Sequence, residues 1–303
     1  MNVSNILFYH IVAFMVVAIW GSTFVFTKLL LLDGLSAAQI FTLRFLIAYV
    51  LLLAFEILTK RFRAFANSWR DELMMLGLGV TGGSLYFLTE NSALNYTTTT
   101  NTSLIVCSCP LVAALLIGFF YKSERMNHTQ MIGTLLAVVG VAVVVMNGRF
   151  VLHLSPIGDM LALMANFCWA IYSLLMVPLG RRYDSMFITR KVFFYGLVTM
   201  IPYYLLQPDD AIQLFSNPLF LFSPSIIFNL LYLGCIASMV CFLMWTWVMK
   251  RLGVVVATNY VYINPLTTIV FAWWILSEQI TVWFLLGALF IILGMYLADK
   301  KEE

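Results

Sequence analysis

Ten apolar stretches, each about as long as a helix that crosses a bilayer, follow one another along the chain with little sequence between them. They cover approximately residues 11–32, 36–58, 73–94, 98–119, 129–147, 157–178, 186–206, 226–249, 255–276 and 281–298. A helix rising 1.5 Å per residue needs roughly 20 mainly apolar residues to span the hydrocarbon layer. Of the 303 residues 62% are hydrophobic and only 10% charged, and the mean hydropathy is +0.95. Soluble domains are about 45–50% apolar and roughly 25% charged, so no water-soluble core could bury this much surface. The expected fold is therefore an all-α integral membrane protein with ten transmembrane helices.

Lysines and arginines orient it. With the N-terminus inside, fourteen of the 17 basic residues fall in cytoplasmic segments, among them Lys60, Arg63, Arg190, Lys191 and Lys250. Arg149 alone falls in an outer loop, and Lys28 and Arg44 lie within spans. By the positive-inside rule both termini are expected in the cytoplasm. The first apolar run lacks a basic lead and a small-residue cleavage site, so it reads as a span and not as a signal peptide.

The chain also repeats itself. Pro110, Glu124, Gly133 and Gly140 recur as Pro265, Glu278, Gly287 and Gly294, and Trp20 and Ser36 recur as Trp169 and Ser185 at an offset of 149. Two copies of one unit are expected, residues 1–150 and 151–303. Five helices per copy is an odd number, so the second copy must be inverted relative to the first, a transporter device. Glu124 and Glu278 then lie at opposite faces, near helix N-termini where the dipole favours an acid. The glycine pairs are two turns apart on one helix face, as close helix packing requires. These residues, with Pro110 and Pro265, are read as scaffold.

Ionisable groups at membrane depth are functional candidates because of their insertion cost. Lys28 lies near the outer end of the first span, where its stem could snorkel. Arg44 lies eight residues inside Ser36, roughly 12 Å along the helix, and needs a partner. Glu90 shares the small-residue side of the third span with Gly79, Gly83 and Tyr86. The three charges suit either an ion cluster locking helices together or a site for a substrate carboxylate or ammonium, with Glu90 as a candidate proton relay. Glu56 is expected to pair with Lys60 one turn on. Trp245, Trp247, Trp273, Trp274 and Trp283 are assigned to an interfacial aromatic belt. Trp20 with Thr23, and Trp169 with Asn166, stand mid-helix as either cavity wall or packing. Asn101, Tyr260 and Asn264 belong to polar runs ahead of the two prolines, where proline removes a backbone donor.

Several activities lack their residues. There is no phosphate-binding glycine loop, no HExxH and no Ser/His/Asp arrangement, and the three histidines lie near span ends. No metal site, cofactor, nucleic acid or obligate protein partner is expected, and the chain is not expected to be an enzyme. The five cysteines read as small buried hydrophobes.

The ordered set Trp20-Gly21-Ser22-Thr23-Phe24, Leu43-Arg44-Phe45, Pro110, Ser123-Glu124, Asn166 to Tyr172, Pro265 and Ser277-Glu278, with the four glycines, resembles the EamA-type branch of the drug/metabolite transporters. The resemblance covers nearly the whole chain and implies two inverted repeats around a central cavity, alternating access, and export of amino acids or related metabolites, or of toxic compounds. Coupling to protons is common in that family but not universal. The expected function is secondary export of a small organic metabolite, amino acids first, across the inner membrane. The substrate is expected against Trp20, Thr23, Arg44, Asn101, Asn166, Trp169, Tyr260 and Asn264. Broad drug efflux and, in a different class, a non-transporting scaffold or sensor are the alternatives.

Overall fold

The structure, a computed structural model, describes residues 3–96, 105–122, 126–146, 155–210, 223–276 and 281–298, and the described residues are helical nearly throughout. Helix α1 spans Val3–Leu32 and α2 Ala37–Leu58. Helix α3 joins Trp69–Gly79 and Leu85–Tyr96 through a kinked segment, Val80–Ser84, whose backbone leaves the helical region at Gly83. Next come α4 at Cys109–Phe120, α5 at His128–Met146 and α6 at Pro156–Arg182. Helix α7, Ser185–Val198, is followed by a short piece, Ile201–Leu206. Helix α8 runs through Pro224–Leu231, a π-helical stretch Tyr232–Val240, and Cys241–Leu252. Helix α9 runs through Val254–Asn259, a 3-10 turn Tyr260–Ile263, and Asn264–Leu276, and α10 is Val282–Ala298.

Five helical runs are long and apolar enough to cross a bilayer: Ile6–Leu32, Ala37–Leu58, Pro156–Arg182, Pro224–Leu252 and Val254–Ile275. Shorter apolar helices lie at Ile105–Phe120, His128–Val144 and Val282–Ala298. Leu58, Phe119, Leu206 and Trp274 are among the large apolar side chains left exposed on the outside. A bilayer, and not water, suits such a surface.

Local chemistry sets several of the ends. Ser36 and Gln39 close a capping box on α2: the Gln39 N–H donates to Ser36 Oγ at 3.2 Å and the Ser36 N–H to Gln39 Oε1 at 2.8 Å. Pro156 opens α6 at a position where its missing N–H costs no helical bond, but the Ser155 side chain does not cap it. The Ser155 N–H donates instead to Asp159 Oδ2 at 3.1 Å. Both marked prolines sit at breaks. A turn at Ser108 interrupts the helix just before Pro110, and the 3-10 turn of α9 ends just before Pro265. Gly253, at φ +91°, turns the chain from α8 into α9 in a backbone conformation that side chains resist.

The closest packing is between α5 and α10. A Cβ added at Gly133 would lie 2.5 Å from Gly294 O, and one at Gly140 would lie 2.8 Å from Gly287 O. Since 133 meets 294 and 140 meets 287, the two helices run antiparallel with backbone against backbone. Elsewhere α2 and α3 pack against α7, α3 and α4 against α6, α2 and α1 against α8, and α1 against α9. Glu124 and Glu278 lie outside the described residues.

Candidate substrate site

Where α1, α2, α3, α6 and α8 meet, a group of aromatic rings surrounds two buried charges. Arg44 is 4% exposed and Glu90 6%. Arg44 comes from the middle of α2 and donates from Nε to Ser238 Oγ at 2.9 Å. Its guanidinium carbon lies 4.9 Å from the centroid of the Phe87 ring, the geometry of a cation–π contact. Ser238 stands in the π-helical stretch of α8, and π turns recur at functional sites because they re-aim side chains. Glu90 accepts a hydrogen bond from the Tyr86 hydroxyl at 2.9 Å, one helical turn away on α3. Among the described residues Arg44 and Glu90 form no ion pair within 4 Å, yet each acts electrostatically on the other. The two charges are therefore near enough to act on one another without forming a direct ion pair, each held by its own hydrogen bond.

The tryptophans stand beside them. Trp20 and Trp169 meet edge to face with centroids 5.8 Å apart, and Trp169 lies 5.4 Å from Tyr86. Trp20 Nε1 donates to Ala237 O at 2.9 Å, so α1 is fastened to the same π-helical stretch that receives Arg44. Trp245 corrects the expectation of an interfacial belt: it is fully buried, 5.2 Å from Trp20. Trp273, Trp274 and Trp283 do lie exposed.

The remaining expected residues divide. Thr23 donates to Trp20 O at 2.6 Å, spending its hydroxyl on its own helix. Asn166 donates from Nδ2 to Ile105 O at 2.6 Å and Ser108 Oγ at 2.8 Å, which braces α4 at its break while Oδ1 has no partner. Asn264 abuts Gly21, next to Trp20, through its backbone carbonyl, and its Oδ1 also lacks a partner. Tyr260 is directed elsewhere: its hydroxyl is 2.6 Å from His10 Nδ1, and its ring lines an apolar cavity of about 590 Å³ between α1, α9 and α10. Asn101 and the Lys28 side chain lie outside the described residues.

A second set of charges, at the end of the bundle where α2 finishes and α3 begins, escapes the sequence reading. Glu56 does not pair with Lys60. Its Oε2 lies 2.5 Å from Arg190 Nε of α7, a charge contact without the angle of a hydrogen bond, and both side chains are buried. Lys191 and Tyr195 both donate to Glu72, while Asp71 accepts from Arg182 at 2.6 Å and from the Tyr183 hydroxyl at 2.7 Å. Hydrogen bonding by Tyr183 holds the Asp71 carboxyl below its ordinary value. Burial pushes Glu72 up, but its hydrogen bonds from Lys191, Tyr195 and the Ala66 N–H outweigh that and leave it below the ordinary range. The available signal was position: Arg190 and Lys191 stand inside α7, not in the loop before it.

The chain matches the EamA-like transporter family twice, over residues 7–146 and 156–298. It is 30% identical over 299 residues to an uncharacterized transporter of Archaeoglobus fulgidus, covering 97% of this chain and 98% of the relative. It is 25% identical to a probable amino-acid metabolite efflux pump of Escherichia coli, over 95% of this chain and 93% of that one. A probable terminal-alkyne amino-acid exporter of Streptantibioticus cattleyicolor is 26% identical over 94% and 91%. A crystal structure superposes with a TM-score of 0.70 at 18% identity, covering 96% of both chains, and shows a shared fold. The class is thus a multi-pass membrane transporter. The protein belongs to the EamA-like transporter family.

Proposed function

We propose that the protein is a secondary transporter of the inner membrane that exports small organic metabolites, amino acids or related compounds first, by alternating access. The observation that carries this reading is the buried, gapped pair of Arg44 and Glu90 beside Trp169 and Tyr86. A zwitterion presents one group to each charge, and a site lined mainly by aromatic rings with a few placed polar groups is what small-molecule pockets use. The names of the Escherichia coli and Streptantibioticus relatives agree with such a substrate.

In this reading the helices are ten spans in two inverted units, 1–150 and 151–303, with both termini cytoplasmic. Three features support it. Exchanging the halves converts the α3–α6 contact into α8–α1, α4–α6 into α9–α1 and α3–α7 into α8–α2, and all six contacts occur. The third helix of each half is interrupted, by a kink at Gly83 within Val80–Ser84 and by the π-helical stretch Tyr232–Val240. The α5–α10 and α2–α7 pairs map onto themselves, as helices astride a two-fold axis must. Protons are the candidate coupling ion, with Glu90 as carrier.

The test is counterflow by the purified protein in proteoliposomes against a panel of amino acids and metabolites. Exchange of an amino acid that Arg44→Ala reduces at least tenfold is the expected result. Exchange of organic cations alone would instead favour broad efflux, the reading to which the aromatic walls and the unpaired carboxylate also lend themselves.

A further inference from the structure

The two halves place a tryptophan at the same point of their first helices, Trp20 in α1 and Trp169 in α6, and the structure treats them differently. On α1 the polar groups are used. Trp20 Nε1 donates to Ala237 O, Thr23 donates to Trp20 O, and Ser22 Oγ, donating to Ile19 O at 2.7 Å, also meets the Tyr232 hydroxyl at 2.6 Å. On α6 they are not. Trp169 Nε1 and Ser173 Oγ have no hydrogen-bond partner, although Trp169 is 6% exposed and Ser173 0%. Both lie on one face of α6, four residues apart.

Buried donors without partners are rare in folded proteins, and each one calls for an explanation. Here the surroundings supply one. The Trp169 ring stacks on Tyr172 at 5.1 Å, meets Trp20 edge to face, and adjoins Tyr86, whose hydroxyl holds Glu90. The Trp169 ring, with its free indole N–H, thus stands one aromatic contact from the Tyr86 that holds Glu90. Its counterpart on Trp20 is spent fastening α1 to α8.

We propose that the substrate docks asymmetrically, against α6 and not α1. The Trp169 indole N–H donates to a carboxylate oxygen of the substrate, and the Ser173 hydroxyl is a second donor to the same group. Arg44 supplies the balancing positive charge, while Trp20 is a positioning residue. The proposal rests on the export of carboxylate-bearing metabolites proposed above and assigns the residues that select for the carboxylate.

The experiment measures KM for counterflow of a transported amino acid and of its carboxamide analogue, together with thermal stability, in wild type, Trp169→Phe, Ser173→Ala and Trp20→Phe. Losing a hydrogen bond to a charged group raises KM for the amino acid roughly tenfold in Trp169→Phe. The carboxamide shifts much less, and Ser173→Ala raises the amino-acid KM in the same sense. Trp20→Phe, which removes the bond fastening α1 to the Ala237 carbonyl, lowers the melting temperature more than Trp169→Phe does and raises KM less. An amino-acid KM left at the wild-type value in both Trp169→Phe and Ser173→Ala overturns the proposal, as does a KM shift in Trp20→Phe equal to that in Trp169→Phe. If Trp169→Phe does not fold, Ser173→Ala decides alone, since removing one unpartnered hydroxyl leaves the packing intact. Wild type that exchanges no carboxylate compound overturns the export reading and this inference together. Wild type that exchanges one, with the variants indifferent, overturns this inference only.

Discussion

Arg44 and Arg190 are both arginines buried in apolar helices, and they are satisfied in different ways. Arg190 has the Glu56 carboxylate in direct contact, so a full counter-charge offsets its lost hydration. Arg44 has a serine hydroxyl and an aromatic face, with Glu90 held back by Tyr86. A charge left to neutral partners is one that can accept a better partner when it arrives, and that separates a site from a brace. Glu90 is the matching acid. If it carries the coupling proton, Glu90→Gln flattens the pH dependence of transport in proteoliposomes, and a profile identical to wild type refutes the role. At the other end of the bundle the carboxylates are braces, and their linkage to pH has a definite sign. Asp71 is held below its ordinary value, chiefly by the Tyr183 hydroxyl. It therefore contributes stability that is present above its unfolded value of about 3.9 and is lost as pH falls through the folded value. Tyr183→Phe should lower the melting temperature at neutral pH, and the deficit should shrink as the pH falls below about 4. A deficit independent of pH would show that Tyr183 acts through packing alone.

Among the elements, the α5–α10 seam has the least slack. A Cβ at Gly140 would lie 2.7 Å from Ile291 N and 2.8 Å from Gly287 O, and these are backbone atoms that cannot turn aside. Gly140→Ala must therefore push the helices apart, at a cost of about 1–3 kcal/mol, which a fall in melting temperature would register. Gly253→Ala has open space around it and meets only its own backbone, at φ +91° and ψ +152° a conformation nearly confined to glycine and costing about 1–3 kcal/mol; an unchanged melting temperature in Gly140→Ala would contradict the seam. These glycines were legible as one face of each helix, but not as partners of each other, because spacing within a helix says nothing about which helix lies opposite. The breaks before Pro110 and Pro265 were legible because their cause, a missing backbone donor, is local. Trp245 was misplaced for the opposite reason. Its place near a helix end suggested the interface, but depth along a helix does not say which side faces protein, and Trp245 is fully buried against Trp20. Glu56 was assigned to Lys60 by the same local habit, whereas its partner stands 134 positions away on α7. Arg44 and Glu90 were legible as buried by their insertion cost, although their separation was not.

For the whole molecule, the decisive question is whether the second half is the first turned over. Antiparallel packing of α5 on α10 bears on it directly, since Gly133 near the start of α5 meets Gly294 near the end of α10. The residues that precede these helices, His128 at the start of α5 and Thr281 just ahead of α10, thus stand at opposite ends of one helix pair. In the proposed topology those ends face opposite compartments, with His128 on the cytoplasmic side as the excess of basic residues leads one to expect. Single cysteines at the two positions, in a chain whose five native cysteines are replaced, should then react with a membrane-impermeant maleimide from opposite sides: Thr281→Cys in intact cells, His128→Cys only after the membrane is opened. Reaction of both from one side would place α5 and α10 parallel in the membrane, remove the inverted repeat, and with it the physical reason for two nearly equivalent conformations open to opposite faces. Reaction from opposite sides leaves an export mechanism in which the near-symmetric scaffold supplies the two states. The residues that break the symmetry, Arg44 opposite the Phe193 of the other half and bonded Trp20 opposite unbonded Trp169, then supply the chemistry.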